Sequence, residues 1–292
     1  MRSDLTNYSY IIITPARNEE AAIEETLKSV VSQTCLPKKW VIVDDGSTDR
    51  TEQIVNGYVE KYDFIQLLRN HDNGKRNFGS KVNAFNAGYE LAKKSDHEFV
   101  VSLDADISFG EDYFEFILNR FDEIPGLGVA GTPFQEGSFS YDYNFTNIEH
   151  VSGACQVFKR ECFEDIGGYQ PVDEGGIDWI AVTTSRMRGW KTRTFTERTC
   201  RHHRKIGSAN GGPLTTRFRH GMKDYCLGGH PLWEVFRGVY QMKSKPYLIG
   251  GMVLFSGYAW ASLKRIDRPI SQELMSFNRK EQLRRLREFI FK

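Results

Sequence analysis

Short apolar runs alternate with amphipathic helical segments between residues 10 and 106, and this alternation constrains the fold more than any other feature of the sequence. Four runs rich in β-branched and aromatic residues end in polar residues and occupy positions 10–14, 39–45, 64–70 and 98–106. Between them, apolar residues recur at helical spacing, at positions 19–33, 47–62 and 81–94. Apolar strands that alternate with helices predict a parallel sheet covered by helices on both faces.

The length of 292 residues and the composition are those of a globular α/β protein with a sizeable core. The net charge is +1 at pH 7, so the chain as a whole has no electrostatic case for binding nucleic acid. The five cysteines form no C-x-x-C pair, which argues against a zinc ribbon and a disulfide framework. The apolar stretch near the N-terminus is too short for a signal peptide, so we expect a cytoplasmic location.

Three polar loops directly follow predicted strands, and we expect them to share one edge of the sheet. They are "TPARNEE", "DDGSTD" and "DAD", at residues 14–20, 44–49 and 104–106. Ligands of parallel sheets bind beyond the carboxyl ends of the strands. A single acidic strand end commonly caps the next helix. Three such loops on one edge favour a ligand site instead.

Several stretches, in their order and spacing, resemble the nucleotide-sugar-binding half of family 2 glycosyltransferases. They are "IIITPARNEEAAIEETLKSVVSQ", "WVIVDDGSTDRT", "GSKVNAFNAGYELAKK" and "VVSLDADISF". Two later stretches, "VSGACQVFKRECFEDIGGYQP" and "GGIDWIAVTTSRMRGWKT", resemble the return to the sheet and the helix that carries the catalytic base. The resemblance implies a GT-A fold over residues 1–215, a Rossmann-like mixed sheet flanked by helices. Its nucleotide-binding half would span residues 8–110, and its acceptor half residues 111–215.

The resemblance assigns the nucleotide to the strand-end loops. Asp45 corresponds to the aspartate that accepts a hydrogen bond from the base, and Thr14 and Ala16 correspond to residues that frame the base. Glu19 corresponds to an acidic position near the nucleotide, with the first-turn acid of a helix as the alternative interpretation. Lys81 corresponds to a position near the ribose and phosphates, where a cation offsets negative charge.

Two aspartates, one residue apart, follow the fourth predicted strand and correspond to the D-x-D motif of the family. The resemblance makes Asp106 a metal ligand and Asp104 a contact of the ribose or of the metal's water shell. The implied cofactor is Mn²⁺ or Mg²⁺, which would neutralise charge on the leaving diphosphate. Alternate residues of an extended segment point the same way, so Ala105 would let both carboxylates face the nucleotide.

Transfer of a sugar also requires a base for the acceptor hydroxyl. By the resemblance, Asp178 in "GGIDW" corresponds to that base. Ile177 stands where an acidic residue often precedes the base in this family. Because the sequence departs from the family pattern here, Asp173 and Glu174 remain alternative candidates for the base.

Two adjacent histidines, His202 and His203, lie in the region where a histidine completes the metal site of many GT-A enzymes. Adjacent residues of an extended chain face opposite ways, so only one of them should reach the metal. The sequence does not choose between them. The cations beside them are candidates to hold the diphosphate: Arg201, Arg204 and Lys205.

Residues 216–292 differ in character and predict a helical, aromatic and basic extension. Residues 246–263 are uncharged and approach the minimum length of a membrane-spanning helix. Residues 279–290 combine an apolar stripe with basic residues, which is typical of a helix on an anionic membrane surface. The alternative is packing against the catalytic domain or a second subunit. We expect a peripheral location on the inner face of the cell membrane.

The expected function is inverting, metal-dependent transfer of a sugar from a nucleotide diphosphate sugar, with UDP favoured, to a hydroxyl group. The acceptor would be a saccharide or a lipid-linked molecule in cell-envelope or exopolysaccharide synthesis. A nucleotidyltransferase is one alternative, but its glycine-rich loop after the first strand is missing, because "TPARNEEAA" has no glycine. A non-catalytic nucleotide-sugar-binding protein is the other alternative, and it would not need Asp178.

Overall fold

The computed structural model describes residues 8–70, 78–136, 147–172, 175–203, 212–243 and 245–291. Its strands within these ranges are β1 (Tyr10–Ala16), β2 (Lys39–Asp44), β3 (Ile65–Arg69), β4 (Phe99–Leu103), β5 (Ile107–Ser108), β6 (Leu127–Gly131), β7 (Phe134–Gln135), β8 (Cys155–Lys159), β9 (Lys191–Thr194) and β10 (Cys200–His202). Its helices are α1 (Ile23–Val31), α2 (Thr51–Val59), α3 (Phe78–Ala92), α4 (Tyr113–Glu123), α5 (Arg160–Asp165), α6 (Ile177–Met187), α7 (Pro213–Cys226), α8 (Pro231–Gln241), α9 (Ile249–Leu263) and α10 (Gln272–Ile290).

Seven strands form the main sheet, in the order β3-β2-β1-β4-β8-β6-β9. The first four are parallel, whereas β8 runs antiparallel to both β4 and β6. The predicted alternation of strands and helices is therefore confirmed, and the sheet is mixed, as the resemblance implies. Strands β1, β2 and β4 are almost entirely buried, which explains why they consist of continuous apolar runs.

Two apolar clusters cover the two faces of the main sheet. Because successive side chains of a strand point to opposite faces, Ile12 of β1 lies in one cluster and Ile13 in the other. Helices α1 and α4 contribute apolar side chains to the first cluster, and α3 and α6 contribute to the second. The helices on both faces leave the carboxyl-terminal edge of the parallel strands for the polar loops.

A second, smaller sheet has the order β5-β10-β7. Strand β10 pairs antiparallel with β5 and parallel with β7, so it joins chain segments that lie far apart in the sequence. Strand β5 follows the DAD loop directly, with only one turn between β4 and β5. This pairing brings His202 and His203 next to Asp106 of the DAD loop.

The chain divides into two compact units. Residues 1–173 and 177–204 form the α/β unit, which contains both sheets. Residues 174–176 and 205–292 form the helical unit, in which α7 starts at Pro213, close to the predicted boundary at residue 215. No helix in the described part of the chain is both long and apolar enough to cross a membrane.

Glycines set how closely the helices of the helical unit approach one another. A side chain at Gly221 of α7 would overlap the carbonyl oxygen of Leu254, and one at Gly257 of α9 would overlap that of Phe218. Helices α8 and α9 meet in the same way, where a side chain at Gly251 would overlap the carbonyl oxygen of Gly238. The helix backbones are therefore in direct contact at these crossings.

Helix α10 packs against α8 through its apolar side. The ring centroid of Phe289 lies 4.8 Å from that of Phe236 and 6.3 Å from that of Tyr240. The guanidinium of Arg285 lies 5.0 Å from the centre of the Trp233 ring. Of the predicted apolar stripe, Phe289 thus contacts α8, although Phe289 and Ile290 remain 47% and 61% exposed.

Candidate active site

Asp45, the predicted base-binding residue, lies at the carboxyl end of β2 and is 5% exposed. Its amide donates a hydrogen bond to the carbonyl of Ala16 at 2.9 Å, which ties the loops after β1 and β2 together. Its carboxylate accepts a hydrogen bond from Nδ2 of Asn70 at 2.9 Å, and Nη1 of Arg17 lies 3.8 Å from the other carboxylate oxygen. Arg17 after β1 and Asn70 after β3 therefore hold the Asp45 carboxylate in place.

Two further predicted nucleotide contacts, Thr14 and Glu19, are buried beside Asp45. The Thr14 hydroxyl accepts a hydrogen bond from Nε1 of Trp40 at 3.0 Å, inside the core of the sheet. The backbone amide of Glu19 donates to the Thr51 hydroxyl at 2.8 Å, which links the β1 loop to the start of α2. Glu19 thus helps to organise the loop after β1, whereas the Thr14 hydroxyl is bonded within the sheet. Contact of either residue with a nucleotide stays a prediction.

In the DAD loop, Ala105 and Asp106 form a turn between β4 and β5, and not the extended segment from which their orientation was predicted. Ala105 is 4% exposed and packs in the apolar core, and its carbonyl accepts a hydrogen bond from the Thr26 hydroxyl at 2.9 Å. The amide of Asp104 donates to the carbonyl of Ala154 at 3.0 Å. With the loop held from both sides, the carboxylates of Asp104 and Asp106 point away from Ala105, toward cationic and imidazole side chains.

Lys81, in the first turn of α3, forms an ion pair with Asp104. Its Nζ lies 2.5 Å from Oδ1 of Asp104. Burial opposes the charge of Lys81, but the negative charge and hydrogen bond of Asp104, with the charges of Asp106 and Asp178, raise the pKa of the ammonium group above its usual value. The lysine is therefore a cation surrounded by the carboxylates of the predicted site.

Asp178, the predicted base, lies in the first turn of α6 and acts electrostatically on Lys81. Gly153 makes room for it, because a Cβ atom at this position would lie 3.0 Å from Cβ and 3.3 Å from Oδ2 of Asp178. Sequence reasoning missed this role of Gly153, for which the only available signal was the presence of a glycine just before β8. The alternative bases Asp173 and Glu174 lie outside the described residues.

The pairing of β10 with β5 brings His202, rather than His203, to the aspartates. Nε2 of His202 lies 3.4 Å from Oδ2 of Asp106, and Nδ1 lies 3.7 Å from Oε2 of Glu136. The side chain of His203 points elsewhere, with Nε2 at 2.8 Å from the Ser108 hydroxyl. Glu136 follows β7, the other neighbour of β10, and sequence reasoning did not single it out.

The pair of Asp106 and His202 is suited to a divalent cation. Ligand atoms on adjacent corners of an octahedral Mg²⁺ or Mn²⁺ site are about 3 Å apart, close to the separation of these two side chains. Nδ1 of His202 is buried and receives no hydrogen bond within the described residues, so the ring is not fully committed to other contacts. No group of three or more His, Cys, Asp or Glu side chains in those ranges is arranged to hold a metal ion. Oxygen atoms of a diphosphate and water would complete the coordination.

The predicted diphosphate-binding cations are only partly described. Arg201 lies in β10, where it pairs with Ser108 of β5 and Gln135 of β7, and its side chain is exposed. Arg204 and Lys205 lie outside the described residues.

The family model described as "Glycosyl transferase family 2" matches residues 11–148, which contain the loops after β1, β2 and β4. Residues 11–148 of the α/β unit thus carry the sequence pattern of glycosyl transferase family 2. Asp45, Asp104 and Asp106 all lie within the matched segment. The family 2 match ends before Asp178 and His202, so those two residues are assigned by geometry and by the resemblance of their own segments.

Named relatives of the family 2 unit are polysaccharide synthases. The chain is 28% identical over 198 residues to the poly-beta-1,6-N-acetyl-D-glucosamine synthase of Staphylococcus epidermidis, which covers 61% of this chain and 44% of the synthase. The synthase of the same name from Staphylococcus aureus strain COL is 28% identical over 196 residues, covering 60% of this chain and 45% of the synthase. The chain thus spans less than half the length of the curated relatives that it matches.

Solved glycosyltransferase structures share the fold. The mannosyltransferase PcManGT from Pyrobaculum calidifontis, in complex with GDP-Man and Mn²⁺, superposes with a TM-score of 0.58 at 20% identity, covering 91% of this chain and 77% of that one. S. aureus TarS 1–349 in complex with UDP-GlcNAc gives 0.56 at 16% identity, covering 92% and 78%. At these identities the likeness concerns the fold alone. It identifies the fold of the α/β unit as GT-A.

Proposed function

We propose that this protein transfers a sugar from a nucleotide diphosphate sugar to a hydroxyl group of a saccharide or lipid-linked acceptor. The observation that carries the proposal is the cluster of Asp104, Asp106 and Asp178 around Lys81. The cluster lies in the α/β unit, whose residues 11–148 match the family 2 model and include Asp45. The synthase relatives support a place in cell-envelope or exopolysaccharide synthesis. The family implies direct displacement with inversion at the anomeric carbon.

The side chains divide the work of this reaction. Asp45 accepts a hydrogen bond from the base of the donor, in the orientation that Asn70 and Arg17 maintain. Lys81, which pairs with Asp104 in this structure, also interacts with the diphosphate, and its positive charge stabilises the negative charge of the phosphates. Asp178 takes the proton of the acceptor hydroxyl as that oxygen attacks the anomeric carbon. The site thus combines donor recognition, leaving-group charge and a base.

A divalent cation, Mn²⁺ or Mg²⁺, belongs to this proposal as the cofactor. Asp106 and His202 would hold it, and when bound it would neutralise the negative charge that develops on the diphosphate. Glu136 would accept a hydrogen bond from Nδ1 of His202 and so present Nε2 to the cation. The structures of PcManGT and of GalNAc-T7 both contain Mn²⁺, which supports the choice of a divalent metal.

The metal assignment predicts a graded loss of Mn²⁺ binding. Replacing Glu136 by Gln should lower the affinity for Mn²⁺ about tenfold, because the carboxylate that orients His202 is lost. Replacing Asp106 by Asn should lower it further, because a ligand is removed. Electron paramagnetic resonance of free Mn²⁺ measures this binding without any turnover. Glu98→Gln, a change just before β4 at the opposite edge of the sheet, serves as the control, and equal affinity of the Glu136→Gln protein would contradict the role of Glu136.

The donor can be identified by thermal unfolding in the presence of Mn²⁺ and a panel of UDP- and GDP-sugars. A ligand at a hundredfold excess over its Kd should raise the Tm by about 5 °C, because it binds only the folded state. We expect the largest shift with a UDP-sugar, and release of UDP on longer incubation. A stabilising sugar nucleotide that is never hydrolysed or transferred would identify a binding protein, and no shift with any nucleotide would remove the proposal.

The proposed place of action is the cytoplasm, at the inner face of the cell membrane. There the enzyme would meet both a nucleotide sugar and a lipid-linked acceptor. The basic character of the helical unit supports this location, since residues 212–292 contain 15 Lys and Arg against 6 Asp and Glu.

A further inference from the structure

The helical unit exposes a face of large apolar side chains on two neighbouring helices. We define this α8–α9 face by six residues that are 42–63% exposed: Leu232, Val235, Val239, Leu248, Met252 and Phe255. The first three recur along α8 at helical spacing, and the last two belong to one side of α9. Exposed apolar side chains are normal one at a time, but a group on adjacent helices indicates an interaction surface.

The two halves of the face meet at the crossing of α8 and α9. The backbones touch where Gly238 meets Gly251, and a Cβ atom at Gly238 would lie 3.8 Å from Cβ of Phe255. Val239 directly follows Gly238, and Met252 directly follows Gly251. The exposed residues of α8 and α9 therefore lie on both sides of a crossing at which no side chain separates the two helix backbones.

The charge along this face is mainly positive. Residues 231–267 contain five basic residues and two acidic ones, of which Glu234 is buried and Asp267 is exposed. Four of the basic residues are exposed near the ends of α8 and α9: Lys243, Lys245, Lys264 and Arg265. A partner for this surface must therefore accept apolar side chains at its centre and positive charge at its margins.

We propose that the α8–α9 face docks on an anionic lipid bilayer. Its apolar side chains would enter the acyl boundary, while the lysines and the arginine remain at the level of the phosphate groups. Basic residues near an anionic surface strengthen the attraction to it. Tyr247 and Trp260, both exposed, lie near the two ends of α9, where aromatic residues favour the membrane interface.

A second copy of the chain fits this face less well than a bilayer does. Two such faces would bring the same four exposed cations of each copy together, and like charges at an interface oppose association. The end of α10 also exposes Phe289 and Ile290, at 47% and 61%, and Phe289 additionally contacts Phe236 and Tyr240 of α8. The assignment rests on the peripheral location that is part of the proposed function.

The test measures co-sedimentation of the full-length protein with vesicles, in the absence of donor. Binding should be strong to vesicles that contain phosphatidylglycerol, weak to vesicles of phosphatidylcholine alone, and reduced by added salt. The double variant Val239→Asp with Met252→Asp should bind anionic vesicles at least about tenfold more weakly. Leu36→Asp, at an exposed leucine of the α/β unit, is the control and should bind like the unchanged protein.

A second variant, Leu248→Ser, tests the same face at an exposed position just before α9, and it remains informative if the double variant does not fold. Failure of the unchanged protein to bind anionic vesicles, or equal binding by the face variants, would overturn the proposal. Loss of self-association in the variants, measured by sedimentation velocity without vesicles, would assign the face to a second copy. Donor hydrolysis without vesicles separates the proposed transferase activity from the proposed membrane contact. The face variants should retain this hydrolysis even when they no longer bind vesicles.

Discussion

Replacing Asp178 by Asn is expected to slow hydrolysis of the sugar nucleotide about a thousandfold, because a general base contributes this order of rate. Asn preserves the size of the side chain, so the close packing against Gly153 is retained. The charge that Asp178 places near Lys81 is lost, but the pairing of Lys81 with Asp104 remains. Donor affinity, measured by calorimetry, should therefore change little while turnover falls.

Two comparisons make this result specific to Asp178. Asp96→Asn, an exposed position before β4, should leave both turnover and donor affinity unchanged. Asp173→Asn and Glu174→Gln test the alternative bases, and a thousandfold loss in either with normal turnover in the Asp178 variant would move the base to that residue. Unchanged hydrolysis in all three would mean that the reaction needs no carboxylate base from this segment.

Replacing Gly221 by Ala is expected to destabilise the helical unit by about 3 kcal/mol, although alanine favours a helix. The added methyl group would overlap the carbonyl oxygen of Leu254 and lie 2.8 Å from the amide nitrogen of Tyr258. Both atoms belong to the α9 backbone, so they cannot move aside without separating the two helices. Hydrogen exchange of peptides from α7 and α9 should show the loss of protection locally.

Gly57→Ala is the matched control, since Gly57 is also within a helix but has no atom within 4 Å of the added methyl group. Helix propensity alone should then stabilise the α/β unit by about 0.5–1 kcal/mol. The two glycine changes are thus expected to have opposite signs. Stabilisation by Gly221→Ala would mean that α7 and α9 are not in backbone contact in solution.

Much of the α/β unit could be predicted from the sequence, because its signals are local. The strands β1, β2 and β4 are buried on both faces, and burial on both faces leaves a run of apolar residues that can be recognised without a structure. Parallel strands place their carboxyl ends on one edge, so the proximity of Asp45 to the β1 loop followed from strand direction alone. Ala105 is buried, but in a turn and not in the extended chain from which its inward orientation was predicted.

The short strands that complete the site could not be predicted in this way. Strands β5 and β7 have two residues each and β10 has three, and so few residues carry no measurable periodicity. Their pairing decides that His202 faces Asp106, and it places Glu136 beside that histidine. The room that Gly153 leaves for Asp178 also depends on two segments that meet only in the folded chain.

The helical extension shows the same division between local and tertiary information. Apolar spacing and charge were enough to indicate helices and a basic surface in the last eighty residues. Which apolar side chains remain exposed depends on helix packing, since Leu274 and Met275 of α10 are buried, whereas Val239 and Met252 are exposed. Periodicity reports that a helix has an apolar side, but only its neighbours in space determine whether another helix already covers that side.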